Sequence, residues 1–155
     1  MSPPKPRLTL RIGVTGHRPN RFPAAGQVEV GRKLADVFAR VAETAARLRE
    51  RESDFFAAAP PEIRVVSSLA EGADRVVANA GLAAGFGLDA VLPFAADVYA
   101  EDFSEAASKA EFRKLLGRTR ARFVLAGNRS AAPRAYEAAG QVMLRDCDLL
   151  IAVWD

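Results

Sequence analysis

The chain is poor in cysteine, histidine and lysine. Its 155 residues include one cysteine, Cys147, which excludes an internal disulfide, and one histidine, His17, which leaves no Cys/His cluster for a structural metal. The longest apolar stretch, 149–154, is too short to cross a bilayer, and the Pro-rich start lacks the apolar segment of a secretory signal. We therefore expect a cytoplasmic protein, with no membrane segment in this chain and no metal or other cofactor.

The composition is that of one compact domain. Hydrophobic residues make up 50% of the chain and charged residues 26%, which is a globular balance. We predict a disordered lead over residues 1–7 and a single domain over 8–155. The net charge is +3, and the basic residues are 18 Arg against 4 Lys. Arginine binds phosphate with two parallel hydrogen bonds, although GC-rich coding would produce the same excess.

Alternating strand and helix patterns predict an α/β fold. Continuous apolar runs are typical of strands covered on both faces, and helical patterns separate them. The alternation favours a Rossmann-like, doubly wound parallel sheet of about five strands with helices on both faces. The predicted strands are Leu8–Val14, Ile63–Ser67, Leu88–Leu92, Arg122–Ala126 and Asp148–Trp154, and the predicted helices are Val30–Leu48, Glu71–Ala84, Glu101–Leu116 and Arg134–Arg145.

Two strand-to-loop junctions have the character of an anion site. The first contains Gly16, His17 and Arg18, and the second runs from Ser67 to Asp74. In an open parallel sheet both lie at the carboxyl edge, where loop amides and a helix N-terminus attract phosphate. We predict that ligand-binding groups come from the residues Gly16, His17, Arg18, Ser67, Ser68, Glu71, Gly72 and Asp74.

Structural roles explain several of the same residues. Ser68 and Glu71 have the spacing of a helix-capping box, and Asp74 is placed to pair with Arg75 or Arg18. Gly16 also suits an ordinary tight turn. These alternatives stay open at the level of sequence.

Three other strand ends contribute candidates to the same edge. Phe94 and Tyr99 follow the third strand and are predicted to flank a nucleobase, because aromatic faces stack on bases. Arg129 follows the fourth strand and is within reach of an anion, and Asp155 ends the fifth. Core packing for the aromatics and solvation for the arginine are the simpler interpretations.

The common nucleotide motifs are missing. The spacing Gly13-x-x-Gly16 is not the dinucleotide fingerprint, and no Gly-Lys-Ser/Thr loop occurs, so ATP hydrolysis is not expected.

The chain resembles the SLOG superfamily, which joins the SMF/DNA-processing-protein-A domain to the LOG nucleotide phosphoribohydrolases. The resemblance rests on Arg11-Ile-Gly-Val-Thr-Gly-His-Arg18, Val65-Val-Ser-Ser-Leu-Ala-Glu-Gly-Ala-Asp-Arg75, Leu92-Pro-Phe94 with Tyr99, and the final Ala-Val-Trp-Asp155. It is similar to stand-alone members that begin with Thr-Gly-His-Arg. Such relatives usually continue with glycine after the position of Asp155. Whether the native chain also continues past Asp155 is left open by the sequence.

The resemblance implies a nucleotide-binding domain. Members bind nucleotides or nucleotide-derived ligands, some as sensors in bacterial conflict or stress signalling, and we expect that function here. The LOG enzymes carry a Pro-Gly-Gly-x-Gly-Thr-x-x-Glu loop with a catalytic glutamate that this sequence lacks, which favours binding over turnover.

Two other functions remain as alternatives. One is a phosphoribohydrolase or N-glycosidase that uses Glu71, Asp74 or Asp155. The other is binding of single-stranded nucleic acid, which the arginine excess favours and the lack of a basic stripe on the first helix disfavours. Homo-oligomerisation is compatible with all three.

Overall fold

A computed structural model describes residues 3–154, so Asp155 lies outside the described residues. The elements in chain order are β1 (Thr9–Gly16), α1 (Ala24–Arg51), β2 (Glu62–Ser67), α2 (Ala73–Ala83), β3 (Gly87–Leu92), α3 (Ala96–Ala100), α4 (Ala106–Gly117), β4 (Ala121–Val124), a short 3-10 helix (Arg129–Ala131), α5 (Ala132–Asp146) and β5 (Leu149–Val153). The five strands form one sheet, and every pair of neighbouring strands is parallel. The predicted Rossmann-like α/β fold is confirmed.

Helices cover the two faces of the sheet unequally. One face packs against α1, α2 and α4, whose Phe38, Val77 and Phe112 share a buried cluster with Val65 of β2. The opposite face, which carries Val66 and Val91, packs against Ala139 and Met143 of α5. Because side chains alternate along a strand, the continuous apolar runs of the sequence fill both cores.

The strand order contains one reversal. It runs β4-β3-β2-β1-β5, so the chain steps in one direction from β1 to β4 and then returns across the sheet to place β5 beside β1. Such a reversal separates the loops that follow the two strands on either side of it and opens a crevice at their carboxyl ends. In this fold the crevice lies at the ends of β1 and β5.

Several boundaries differ from the sequence-based prediction. Over Glu101–Leu116, where one helix was expected, a link occupies residues 101–105 and α4 begins only at Ala106. A short helix that was not expected, α3, precedes this span. Helix α2 begins at Ala73, two residues later than expected, and α1 extends well beyond Val30–Leu48 at both ends. No helix within residues 3–154 is long and apolar enough to span a membrane.

Candidate functional site

A small hollow opens at the reversal of the strand order. Its volume is about 150 Å³, and residues from four parts of the fold surround it. The β1 end, the loop after β2, the segment after β3 and one face of α5 all contribute. The lining residues are Val14, Thr15, Gly16, Arg18, Ser68, Ala70, Asp74, Pro93, Tyr99, Tyr136, Ala139, Gly140 and Met143.

Two glycines bring the predicted junctions into direct contact. A Cβ at Gly16 would lie 2.6 Å from the Ala73 Cβ and 2.7 Å from the Val153 carbonyl oxygen. Gly72 has φ of +91°, and a Cβ there would lie 2.4 Å from the His17 carbonyl oxygen. That oxygen accepts a hydrogen bond of 3.1 Å from the Ala73 amide. Both positions therefore need glycine for close backbone approach, and the two junctions lie on the same rim.

Asp74 lies at one side of the hollow and is bound by the loop before it. The Ser67 hydroxyl and the Ser68 amide both donate a hydrogen bond to Asp74 Oδ2, and each donor lies 3.0 Å from that oxygen. The Ser67 hydroxyl also accepts from the Leu69 amide at 2.9 Å. Leu69 has φ of +57°, so this loop turns through the left-handed region at a non-glycine residue.

Burial changes the acidity of Asp74. Removal from water raises the pKa of its carboxyl from 3.8 to about 6, against the opposing effects of the Ser67 and backbone hydrogen bonds and of the Arg18 charge. The predicted ion pair with Arg75 or Arg18 is wrong for the described residues: Asp74 binds the two serines, and Arg75 pairs with Glu111.

Arg18 supplies a positive charge to the lining of the hollow. Its side chain is exposed, and within residues 3–154 its guanidinium makes no hydrogen bond or ion pair. It lies 5.7 Å from the ring centroid of Tyr136. Other arginines of the described residues, such as Arg11, Arg64, Arg75 and Arg129, form ion pairs with carboxylates. The five N–H donors of the Arg18 guanidinium are available to a ligand instead.

The aromatic residues after β3 are buried. Phe94 is 2% exposed and does not line the hollow, so it presents no free face for the base predicted to stack there. Tyr99 is 1% exposed and borders the hollow, where burial raises the pKa of its phenol. The Tyr136 hydroxyl donates to Asp102 at 2.6 Å, and Arg129 also binds Asp102 instead of facing the hollow.

Glu71 faces away from the hollow. Its carboxylate accepts a hydrogen bond from the Ser108 hydroxyl of α4. The capping box with Ser68 is not formed, since the residue before α2 is Gly72 and no side chain caps that helix. Of Glu71 and Asp74, the two described carboxylates considered for catalysis, only Asp74 borders the hollow.

Sequence reasoning missed two features of the site. Gly140 of α5 borders the hollow, and a Cβ there would meet no atom within 4 Å. Trp154, directly after β5, is 72% exposed and its ring lies 4.5 Å from that of His17. The pairing of β1 with β5 places them together, and no local pattern predicts that pairing.

A larger groove lies on the face of the sheet that α1, α2 and α4 cover. It has a volume of about 1050 Å³ and runs between α1, α2 and α4, with small residues such as Gly31, Ala80 and Ala110 along it. Three of its lining residues, Pro19, Glu71 and Gly72, are close in the chain to Arg18 and Ala70 of the hollow. The smaller hollow is the better candidate because it combines a free cation, a desolvated carboxylate and the expected position in the fold.

Comparison with known proteins adds no assignment: no family model matches the chain, and no curated protein is significantly similar to it.

Proposed function

We propose that the protein binds a nucleotide or a nucleotide-derived phosphorylated ligand at the hollow and acts as a sensor of that ligand. The observation that carries the proposal is Arg18, a guanidinium without a hydrogen-bonding partner in the described residues, at the rim where the strand order reverses. Guanidinium groups bind phosphate through two hydrogen bonds. The proposed SLOG relationship is consistent with the same ligand class.

The size of the hollow limits what it encloses. About 150 Å³ is well below the volume of a typical small-molecule pocket, so it holds the phosphate and sugar part and leaves the base outside. The exposed ring of Trp154 contacts His17, which lies between the lining residues Gly16 and Arg18, and offers a stacking surface for that base. In this proposal Trp154 takes the role that the sequence assigned to Phe94 and Tyr99.

The test uses the single tryptophan of the chain as a reporter. We expect AMP, ADP and related nucleotides to quench the Trp154 fluorescence saturably, with affinities matched by calorimetry. Arg18→Ala should weaken binding about tenfold or more, because a charge-assisted hydrogen-bonded pair is lost. Chromatography of the incubated ligand should recover it intact, as binding without turnover requires.

Two control variants accompany Arg18→Ala. Arg21→Ala removes an exposed arginine that does not border the hollow and should leave affinity unchanged. Gly140→Val fills open space in the hollow and should abolish binding while the protein stays folded. Equal affinity of the wild type and Arg18→Ala, or no binding of any nucleotide, would refute the proposal.

A further inference from the structure

The loop after β2 already holds an anion of the protein itself. Its donors, the Ser67 hydroxyl and the Ser68 amide, both bind the Asp74 carboxylate. The first amide of α2, that of Ala73, is bound by the His17 carbonyl oxygen. An incoming phosphate therefore finds the usual backbone donors of a strand–loop–helix junction occupied, and it meets a carboxylate beside them.

The hollow is consequently divided by charge. Arg18 provides hydrogen-bond donors and positive charge, whereas an ionised Asp74 accepts hydrogen bonds and repels anions. The two side chains are not in contact with each other, yet Arg18 lies near enough to lower the pKa of Asp74 by its charge. A ligand that satisfies both must carry groups of opposite hydrogen-bonding character.

We propose that Asp74 determines specificity, so that the hollow accepts a phosphate monoester with neighbouring hydroxyl groups, as in a sugar phosphate, and rejects a bare oxyanion. This inference rests on the proposed function. The phosphoryl group binds Arg18, and a hydroxyl donates to the Asp74 carboxylate. A ligand without the hydroxyl leaves a desolvated carboxylate facing a phosphate with no proton between them.

Protonation of Asp74 removes that discrimination. Burial raises the pKa of the Asp74 carboxyl to about 6, so at pH 5 the group is mostly neutral and donates a hydrogen bond to an oxyanion. The other titratable or charged groups around it are His17 and Arg18 from the β1 end, Tyr99 from α3, and Tyr136 from α5 with its partner Asp102.

The first experiment compares ribose 5-phosphate with ethyl phosphate, a monoester of similar charge without hydroxyl groups. Calorimetry or NMR titration of the full chain at pH 7.5 should show ribose 5-phosphate binding about tenfold or more tightly. In Asp74→Asn the ratio should fall to within about threefold, because the amide donates to phosphate and accepts less strongly from a hydroxyl. Asparagine keeps the size of the side chain and its contact with Ser67.

The second experiment uses sulfate, whose charge is constant between pH 5 and pH 7.5. Its affinity for the wild type should rise about tenfold as the pH falls through 6, since the repelling carboxylate becomes neutral. The same titration with Asp74→Asn, which lacks the titrating carboxylate, should be much flatter.

The outcomes separate the two proposals. Equal affinities of the wild type for ribose 5-phosphate and ethyl phosphate, together with a sulfate affinity that is independent of pH, would overturn the role of Asp74 and leave phosphate binding at Arg18 intact. No binding of either ester at millimolar concentration would overturn both. The comparison of the two esters needs only the wild-type protein, so it tests the role of Asp74 even if the Asp74→Asn variant does not fold.

Discussion

Single residues at the rim of the hollow decide whether the two junctions can meet. Gly72 combines a left-handed backbone with a Cβ position 2.4 Å from the His17 carbonyl oxygen, whereas Gly85 has φ of +82° and open space around the same position. A substitution at Gly85 therefore introduces backbone strain alone, whereas the same substitution at Gly72 introduces both backbone strain and a steric clash.

Gly72→Ala should lower the free energy of unfolding by roughly 3 kcal/mol or more, since the clash adds to the strain. Gly85→Ala should cost about 1 kcal/mol, from the left-handed conformation alone. Urea denaturation monitored by circular dichroism measures both. A Gly72→Ala loss no larger than that of Gly85→Ala would show that the two loops are not pressed together as described.

The residue scale also shows where sequence reasoning stopped. Gly16, Arg18, Ser68 and Asp74 were predicted at the site and do border the hollow, because strand ends and turn residues are local signals. The partner of Asp74 was not predictable. Its choice between arginine and the serine donors depends on the left-handed turn at Leu69, which no local pattern indicates.

Among the elements, α2 and α4 are joined through one buried arginine. Arg75 is 4% exposed; its guanidinium donates to the Leu69 carbonyl oxygen and to the Ser108 carbonyl oxygen and hydroxyl, and pairs with Glu111 at 3.1 Å. It also lies 4.4 Å from the Phe103 ring centroid. Through Leu69 this arginine holds the loop that presents Ser68 to the hollow.

Arg75→Met should destabilise the fold by roughly 2–4 kcal/mol, because several charge-assisted hydrogen bonds are lost and the Leu69 oxygen stays buried. Arg32→Met is the matched surface change. The exposed Arg32–Glu29 pair contributes little, so we expect a loss within about 0.5 kcal/mol. Thermal and urea unfolding of the two variants gives the comparison, and similar small losses would contradict a structural role for Arg75.

Element boundaries followed the sequence where periodicity was strong. The β-branched runs of the inner strands identified β2 and β3 to within one residue, and the apolar stripe of the first helix identified α1 but not its ends. The start of α4 at Ala106 and the separate short helix α3 before it were missed. The link between them is fixed by tertiary contacts such as Asp102 with Arg129 and Tyr136, and helical propensity alone does not report such contacts.

At the scale of the whole molecule, the return of β5 to the side of β1 creates the site. It brings Trp154 to His17, leaves α5 alone on one face, and opens the crevice that the hollow occupies. Alternation of strands and helices predicts a parallel sheet but not the order of its strands, because several orders satisfy the same pattern. The fold class was thus enough to predict that the site lies at the carboxyl edge of the sheet. The strand order was needed to know which residues meet there.

The most direct test of the central claim is to locate the bound ligand by amide chemical shifts of the isotope-labelled chain during titration with AMP. The account predicts saturable shifts over residues 14–18, 68–74 and 136–143, with the groove residues of α1 and α4 unaffected. Shifts confined to those residues of α1 and α4, or no shifts up to millimolar AMP, would contradict it.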